Sequence, residues 1–132
     1  MQEEKEALWK RLNLWQYNIE YKISRESYFQ LCETIGDEPN PDKIPPELED
    51  FPLEVQQAIV VFGKLGDRIA PDIGYLGKDY SAIDAHIDAL KIDNRELFLE
   101  TLVRLDHIVI EKSAEEMKRE RDKQKKKNNG GK

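Results

Sequence analysis

Apolar residues along this chain recur at three- and four-residue steps, and that spacing predicts helices. In the most apolar stretch Val55, Ala58, Ile59, Phe62, Leu65 and Ile69 share one face, Gln56, Gln57, Lys64 and Arg68 take the other, and Val60 and Val61 widen the apolar side. Pro52 suits the first turn and Pro71 the stop, so a helix is predicted over 52–70. Gly63 and Gly66 inside it cost roughly 1 kcal/mol each relative to Ala, which predicts close approach of another helix there. Upstream, Leu8, Leu12, Trp15 and Ile19, broadened by Trp9 and Leu14, predict a helix over 3–21. Tyr28, Leu31, Cys32 and Ile35 predict a second over 25–35, with Ser24 as N-cap, Ile23 and Tyr28 as a hydrophobic staple and Gly36 as the stop.

Between these helices lies GDEPNPDKIPPELEDF, whose Pro39, Pro41, Pro45 and Pro46 make it stiff and semi-extended. Ile44, Leu48 and Phe51 are spaced to pin it across the helices as a strap, with partner binding as the other use of such an arm. After Pro71 comes DIGYLGKDYS, read as a structured turn with Tyr75 and Leu76 at its tip between Gly74 and Gly77. It lacks the six-residue glycine spacing and terminal Lys-Ser/Thr of a phosphate loop. A short helix over 81–91, capped by Asp79 or Ser81, buries Ile83, Ile87 and Leu90. The last begins at Asp93 as N-cap, with Glu96 as its reciprocal partner and Ile92 with Leu97 as staple, and runs over 94–121 with Phe98, Leu102, Leu105, Ile108 and Val109 inward.

The fold class that follows is all-α: a small bundle of four main helices plus one short one, with a Pro-rich strap. Residues 1–121 form a single helical domain, and 122–132 a basic, disordered tail. Charge sharpens that division. The formal net charge of −6 splits into −10 over residues 1–110 and +4 over 111–132. An acidic body repels nucleic acid, so phosphate contact would fall to Lys123, Lys125, Lys126 and Lys127 of the tail.

Candidate chemistry is thin. The single Cys32 sits on an apolar helix face as a small buried thiol and excludes an intramolecular disulfide. Asp84 and Asp88 stand one helical turn apart, but His86 is two residues from each and points well away from both, which makes a poor metal site. His107 and Glu111, and Glu100 and Arg104, stand at ion-pairing i,i+4 spacing. The second helix, with Arg25, Glu26, Gln30 and Glu33, is too balanced in charge for a DNA-reading helix. No nucleophile–base pairing is recoverable from spacing, no cofactor motif is present, and the chain reads as no enzyme. No apolar run approaches the roughly 18 residues of a membrane span, which makes the cytoplasm the expected location.

Two passages, GDEPNPDKIPPELEDFPLEVQQAI and LGDRIAPDIGYLGKDY, resemble small accessory or structural proteins of large tailed bacteriophages. The resemblance covers residues 36–80 and implies a virion or assembly protein in an infected bacterial cell, with no catalytic residues to carry over. The resulting expectation is a noncatalytic protein-binding or assembly protein that binds another protein or itself, through Trp9, Phe51, Tyr75 and Leu76. Trp9 has a second reading, in which it closes the core. The alternative function is nonspecific nucleic-acid association through the four tail lysines.

Overall fold

The computed structural model describes residues 2–130. Among the described residues the chain is mostly helical, with five helices, one 3-10 turn and a minor two-stranded β-hairpin. It divides into two compact units, Met1–Pro52 and Leu53–Lys132.

The first unit contains α1 (Gln2–Glu20), α2 (Arg25–Ile35) and a 3-10 turn (Leu48–Asp50). The link between the two helices is set by capping at both ends. Lys22 adopts left-handed backbone (φ 55°), and the N–H groups of Ile23 and Lys22 donate back to the carbonyls of Asn18 (2.8 Å) and Ile19 (3.3 Å). These bonds satisfy carbonyls that a helix end otherwise leaves open. Ser24 then caps α2 reciprocally with Ser27, each side-chain oxygen accepting from the other's N–H, at 3.0 and 2.9 Å. Gly36 (φ 77°) closes α2 with the same left-handed stop.

The Pro-rich segment packs as a strap. Arg25 donates from Nε to the Pro45 carbonyl (3.0 Å) and from Nη2 to Asp50 (2.7 Å), the Trp15 and Phe51 rings meet edge to face at 6.4 Å, and the Asn40 N–H donates to the Tyr28 hydroxyl (3.0 Å). The Glu47 N–H and the Arg25 guanidinium hold the Asp50 carboxyl below its ordinary range.

In the second unit α3 (Leu53–Lys64) is followed by β1 (Asp67–Ala70), β2 (Gly74–Lys78), α4 (Ile83–Leu90) and α5 (Arg95–Gly130). Ala58, Val61, Leu65, Ile87, Ile92, Phe98 and Leu102 form its core, with Phe62, Tyr80 and Ile83 packed against it.

The helix expected over 52–70 therefore stops at Lys64, and its last residues become a strand. Gly66 gives its carbonyl to the Asp79 N–H (2.8 Å), and the Lys78 ammonium takes the Leu65 carbonyl (3.3 Å). These cross-chain bonds replace the helical ones, and the cation sits where a helix C-terminus favours it. Pro71 occupies the second position of the connecting turn, closed by Ile73 N–H to Ala70 carbonyl at 3.2 Å. Among the described residues no helix approaches Gly63 or Gly66: a Cβ on either would meet nothing within 4 Å.

Two caps also shift. The α5 N-cap is Asn94, one residue beyond Asp93, because its Oδ1 accepts from the Leu97 N–H at 3.1 Å. Asp79 accepts from the Ser81 N–H (2.9 Å) ahead of α4 and so shapes the turn without capping the helix. The segment expected as a disordered tail from 122 is helical through Gly130. Lys123, Gln124, Lys125, Lys126 and Lys127 are good helix formers, and neither Pro nor Gly interrupts the segment before Gly130. The last two residues of the expected tail, 131–132, lie outside the described residues.

Candidate functional site

The most organised polar cluster is built where the hairpin meets α5. Asp106 stands four residues after Leu102 on α5, on an otherwise apolar face, and is only 6% exposed. Its carboxylate is surrounded by donors. The Tyr75 hydroxyl donates to Oδ1, the Tyr80 hydroxyl to Oδ2, and the Lys78 N–H to both oxygens, at 3.2 and 3.0 Å. A carboxylate offers about four lone-pair positions, and here each oxygen receives two contacts.

Burial first, and then the hydrogen bond to Asp106, pushes both phenols well above the ordinary tyrosine range. Each tyrosine is thereby held neutral as a donor to a group that can only accept.

A second contact fixes the far end of the hairpin. The Tyr75 N–H donates to Ser113 Oγ (3.3 Å), so the N–H groups of β2 that face away from β1 are taken by α5. Close approach requires glycine. A Cβ on Gly77 (φ 122°) would lie 3.3 Å from Asp106 Oδ2, and one on Gly74 (φ 93°) 2.9 Å from Ser113 Oγ. Lys78 then reaches back, bonding Asp67 at 2.6 Å with its ammonium 4.7 Å from the Phe62 ring centre. The chemistry available to this cluster is positioning: a general base needs a lone pair free for a substrate proton, and those of Asp106 are engaged.

The strand partner of β2 is differently placed. β1 pairs antiparallel with β2, with Arg68 opposite Gly77 and Ile69 opposite Tyr75, and its residues Asp67, Arg68 and Ile69 are exposed. Ile69 and Ile73 are 68% and 63% exposed, and Leu76 39%.

The sequence-predicted residues separate in consequence. Trp9 and Phe51 are buried, Tyr75 is half-buried against Asp106, and Leu76 is exposed. Cys32 is buried as expected. His107 Nε2 lies 2.9 Å from Glu111 Oε1, one turn along α5. Lys123, Lys125, Lys126 and Lys127 are exposed on α5, and three of them are consecutive, which turns their side chains around the helix axis instead of along one face. Asp106 and Tyr80 were not singled out from sequence. The available signal was an acid within the inward spacing of Leu102, Leu105 and Val109.

Among the described residues no group of three or more His, Cys, Asp or Glu side chains could hold a metal ion, and no helix is long and apolar enough to cross a membrane. No protein-family model, curated protein or solved structure matches this chain.

Proposed function

We propose that this chain is a noncatalytic protein-interaction module, with the hairpin of the second unit as its contact element. The observation that carries this reading is the contrast across that hairpin. One side is locked to α5 through Asp106 and Ser113, while Ile69, Ile73 and Leu76 are left exposed. Exposed apolar side chains carried on a rigidly held backbone cost little loop entropy on binding, which favours them as contacts. The carboxylate joint and the absence of a free acid–base pair in it support a noncatalytic role. The phage-particle setting belongs to the proposal through the resemblance of residues 36–80.

The test is affinity capture from the native source combined with light scattering of the purified chain, for the natural sequence and for an Ile69→Ser, Ile73→Ser, Leu76→Ser variant. The expected result is a reproducible partner, or self-association, that the triple variant loses while keeping its helical circular dichroism. A monomer without a partner, or a partner retained in full by the variant, overturns the reading.

The second reading, phosphate contact by the tail, draws on the exposure of the four lysines. Four neutralised phosphates give a log-log salt slope of about −3 to −4 for DNA. Labelled DNA titrated against the full chain and a version ending at Asp122 checks it: equal binding by both, or by neither at low salt, removes it.

A further inference from the structure

β2 is flanked by β1 on one side and by α5 on the other, whereas among the described residues β1 has β2 as its only strand neighbour. Opposite residues of an antiparallel pair turn their backbone groups either both into the ladder or both out of it. The N–H groups of Tyr75 and Lys78 leave the ladder for Ser113 and Asp106, so their partners Ile69 and Asp67 point out of its far side. The N–H and carbonyl groups of both residues therefore lie along an outer edge. Among the described residues no bond from outside the hairpin reaches either backbone, both residues are exposed, and a Cβ on the adjoining Gly66 would meet nothing within 4 Å.

Open backbone of this kind is a template for a further strand, and the side chains restrict which strand fits. Asp67 and Ile69 share one face, where Asp67 is paired with Lys78 at 2.6 Å, and Arg68 stands on the other. Arg68 is exposed and forms no ion pair among the described residues; Asp79 feels its charge without bonding it. A second copy of β1 is a poor occupant. The two-fold register that bonds Asp67 to Ile69 of the other copy places Arg68 directly opposite its own equivalent, and like charges so placed are destabilising. Shifting that register one way sets Pro71, which lacks an N–H, against Asp67, and the other way sets Asp67 against itself. A strand with an acid opposite Arg68 turns the repulsion into a cross-strand ion pair, and an aliphatic neighbour of that acid covers Ile69.

We propose that β1 accepts an added strand from a partner protein, with an acidic side chain opposite Arg68 and an aliphatic one opposite Ile69. This rests on the reading of the hairpin as the contact element and specifies the contact: main-chain pairing with Asp67 and Ile69 holds the strand, and Arg68 selects it.

The experiment is an NMR titration of the full isotope-labelled chain, to millimolar concentrations, with acetyl-Thr-Val-Glu-Val-Thr-amide and, separately, with acetyl-Thr-Val-Lys-Val-Thr-amide. Each probe presents the same side chains in either strand direction. The acidic probe is expected to move the Asp67 and Ile69 amides, slow their exchange with deuterium, and bind about threefold to fivefold more tightly than the basic one. Arg68→Glu should reverse that preference. Ile69→Pro removes an outward N–H without touching the bonds to β2, as an edge position allows, and should abolish binding of both probes while the Tyr75 amide stays protected. Silence of the Asp67 and Ile69 amides, equal binding of the two probes, a preference unchanged by Arg68→Glu, or full binding by Ile69→Pro overturns the proposal. So does a dimer of the natural chain that protects these amides, which assigns the edge to a second copy. A partner from the native source that is lost with the triple serine variant and kept in full by Ile69→Pro leaves the hairpin reading intact and removes strand addition alone.

Discussion

Tyr75 and Asp106 are 31 residues apart in the chain, and the hydroxyl of the first donates directly to the carboxylate of the second. Tyr80 donates to the other oxygen, so one buried acid ties the hairpin and the segment that follows it to α5. Asp106→Ala leaves two phenols and the Lys78 N–H without their acceptor. Hydrogen bonds to charged groups contribute about 1.5–3 kcal/mol each, so a loss of about 3 kcal/mol is expected in urea unfolding. Tyr75→Phe and Tyr80→Phe should each cost less, and neither should add appreciably in the Asp106→Ala background. Strict additivity of the three changes would refute the shared node.

The same node sets a response to alkali. Both phenols have folded pKa values raised above the ordinary value of about 10. Their contribution to stability is complete below that ordinary value and is lost progressively as pH rises from it toward the folded values. Phenolate absorbance followed with circular dichroism should therefore show a late ionising fraction that rises together with loss of helix. The doubly substituted Tyr75→Phe, Tyr80→Phe chain should lack that late fraction. A late fraction that persists in it assigns the shift to other tyrosines and sinks this account.

Glycines in the second unit should respond to alanine in opposite directions. Gly63 lies within α3 in open space, and Gly63→Ala should stabilise the fold by about 0.5–1 kcal/mol through helix propensity. Gly77 combines φ 122° with a Cβ position 3.3 Å from Asp106 Oδ2, and Gly77→Ala should cost about 1–3 kcal/mol through backbone strain and crowding. Thermal or urea midpoints moving in the same direction for both would contradict this geometry.

Lys91 ends α4 at φ 52°, with its N–H on the Asp88 carbonyl (3.3 Å) and the Ile92 N–H on that of Ile87 (3.2 Å). Gly36 makes the same stop at α2 without a side chain to strain. Lys91→Gly is expected to raise stability by up to about 1 kcal/mol, because left-handed backbone costs an L-residue roughly 1–2 kcal/mol and glycine's extra unfolded-state freedom takes part of the gain back. A midpoint lowered by the change would show that the lysine stem contributes more by packing than its backbone costs.

What could be read from the sequence follows the range of the interactions. Ser24 and Gly36 fix α2 to the expected residues because the cap and the left-handed stop are local chemistry. The strap was legible for a similar reason, since four prolines limit what residues 36–51 can do. The hairpin was not. Ile69 continues the helical spacing of Leu65, and only the bonds from Lys78 and Asp79 to Leu65 and Gly66 end that helix early. At α5 the expected cap, Asp93, is off by one residue, because the neighbouring Asn94 is equally competent as a cap. Apolarity nominated Trp9, Phe51, Tyr75 and Leu76 alike, yet it carries no information on which are covered. Asp106 became intelligible only beside donors 26 to 31 residues away.

Because α5 receives the outward N–H groups of β2, it serves the hairpin as a third strand would. A lone two-stranded hairpin is marginal in water. The hairpin's stability is therefore coupled to its docking on α5, across a separation of 38 residues from Tyr75 to Ser113. The joint thus opens as a unit: the Tyr75 and Lys78 amides should exchange with deuterium only as fast as the hairpin leaves its helix.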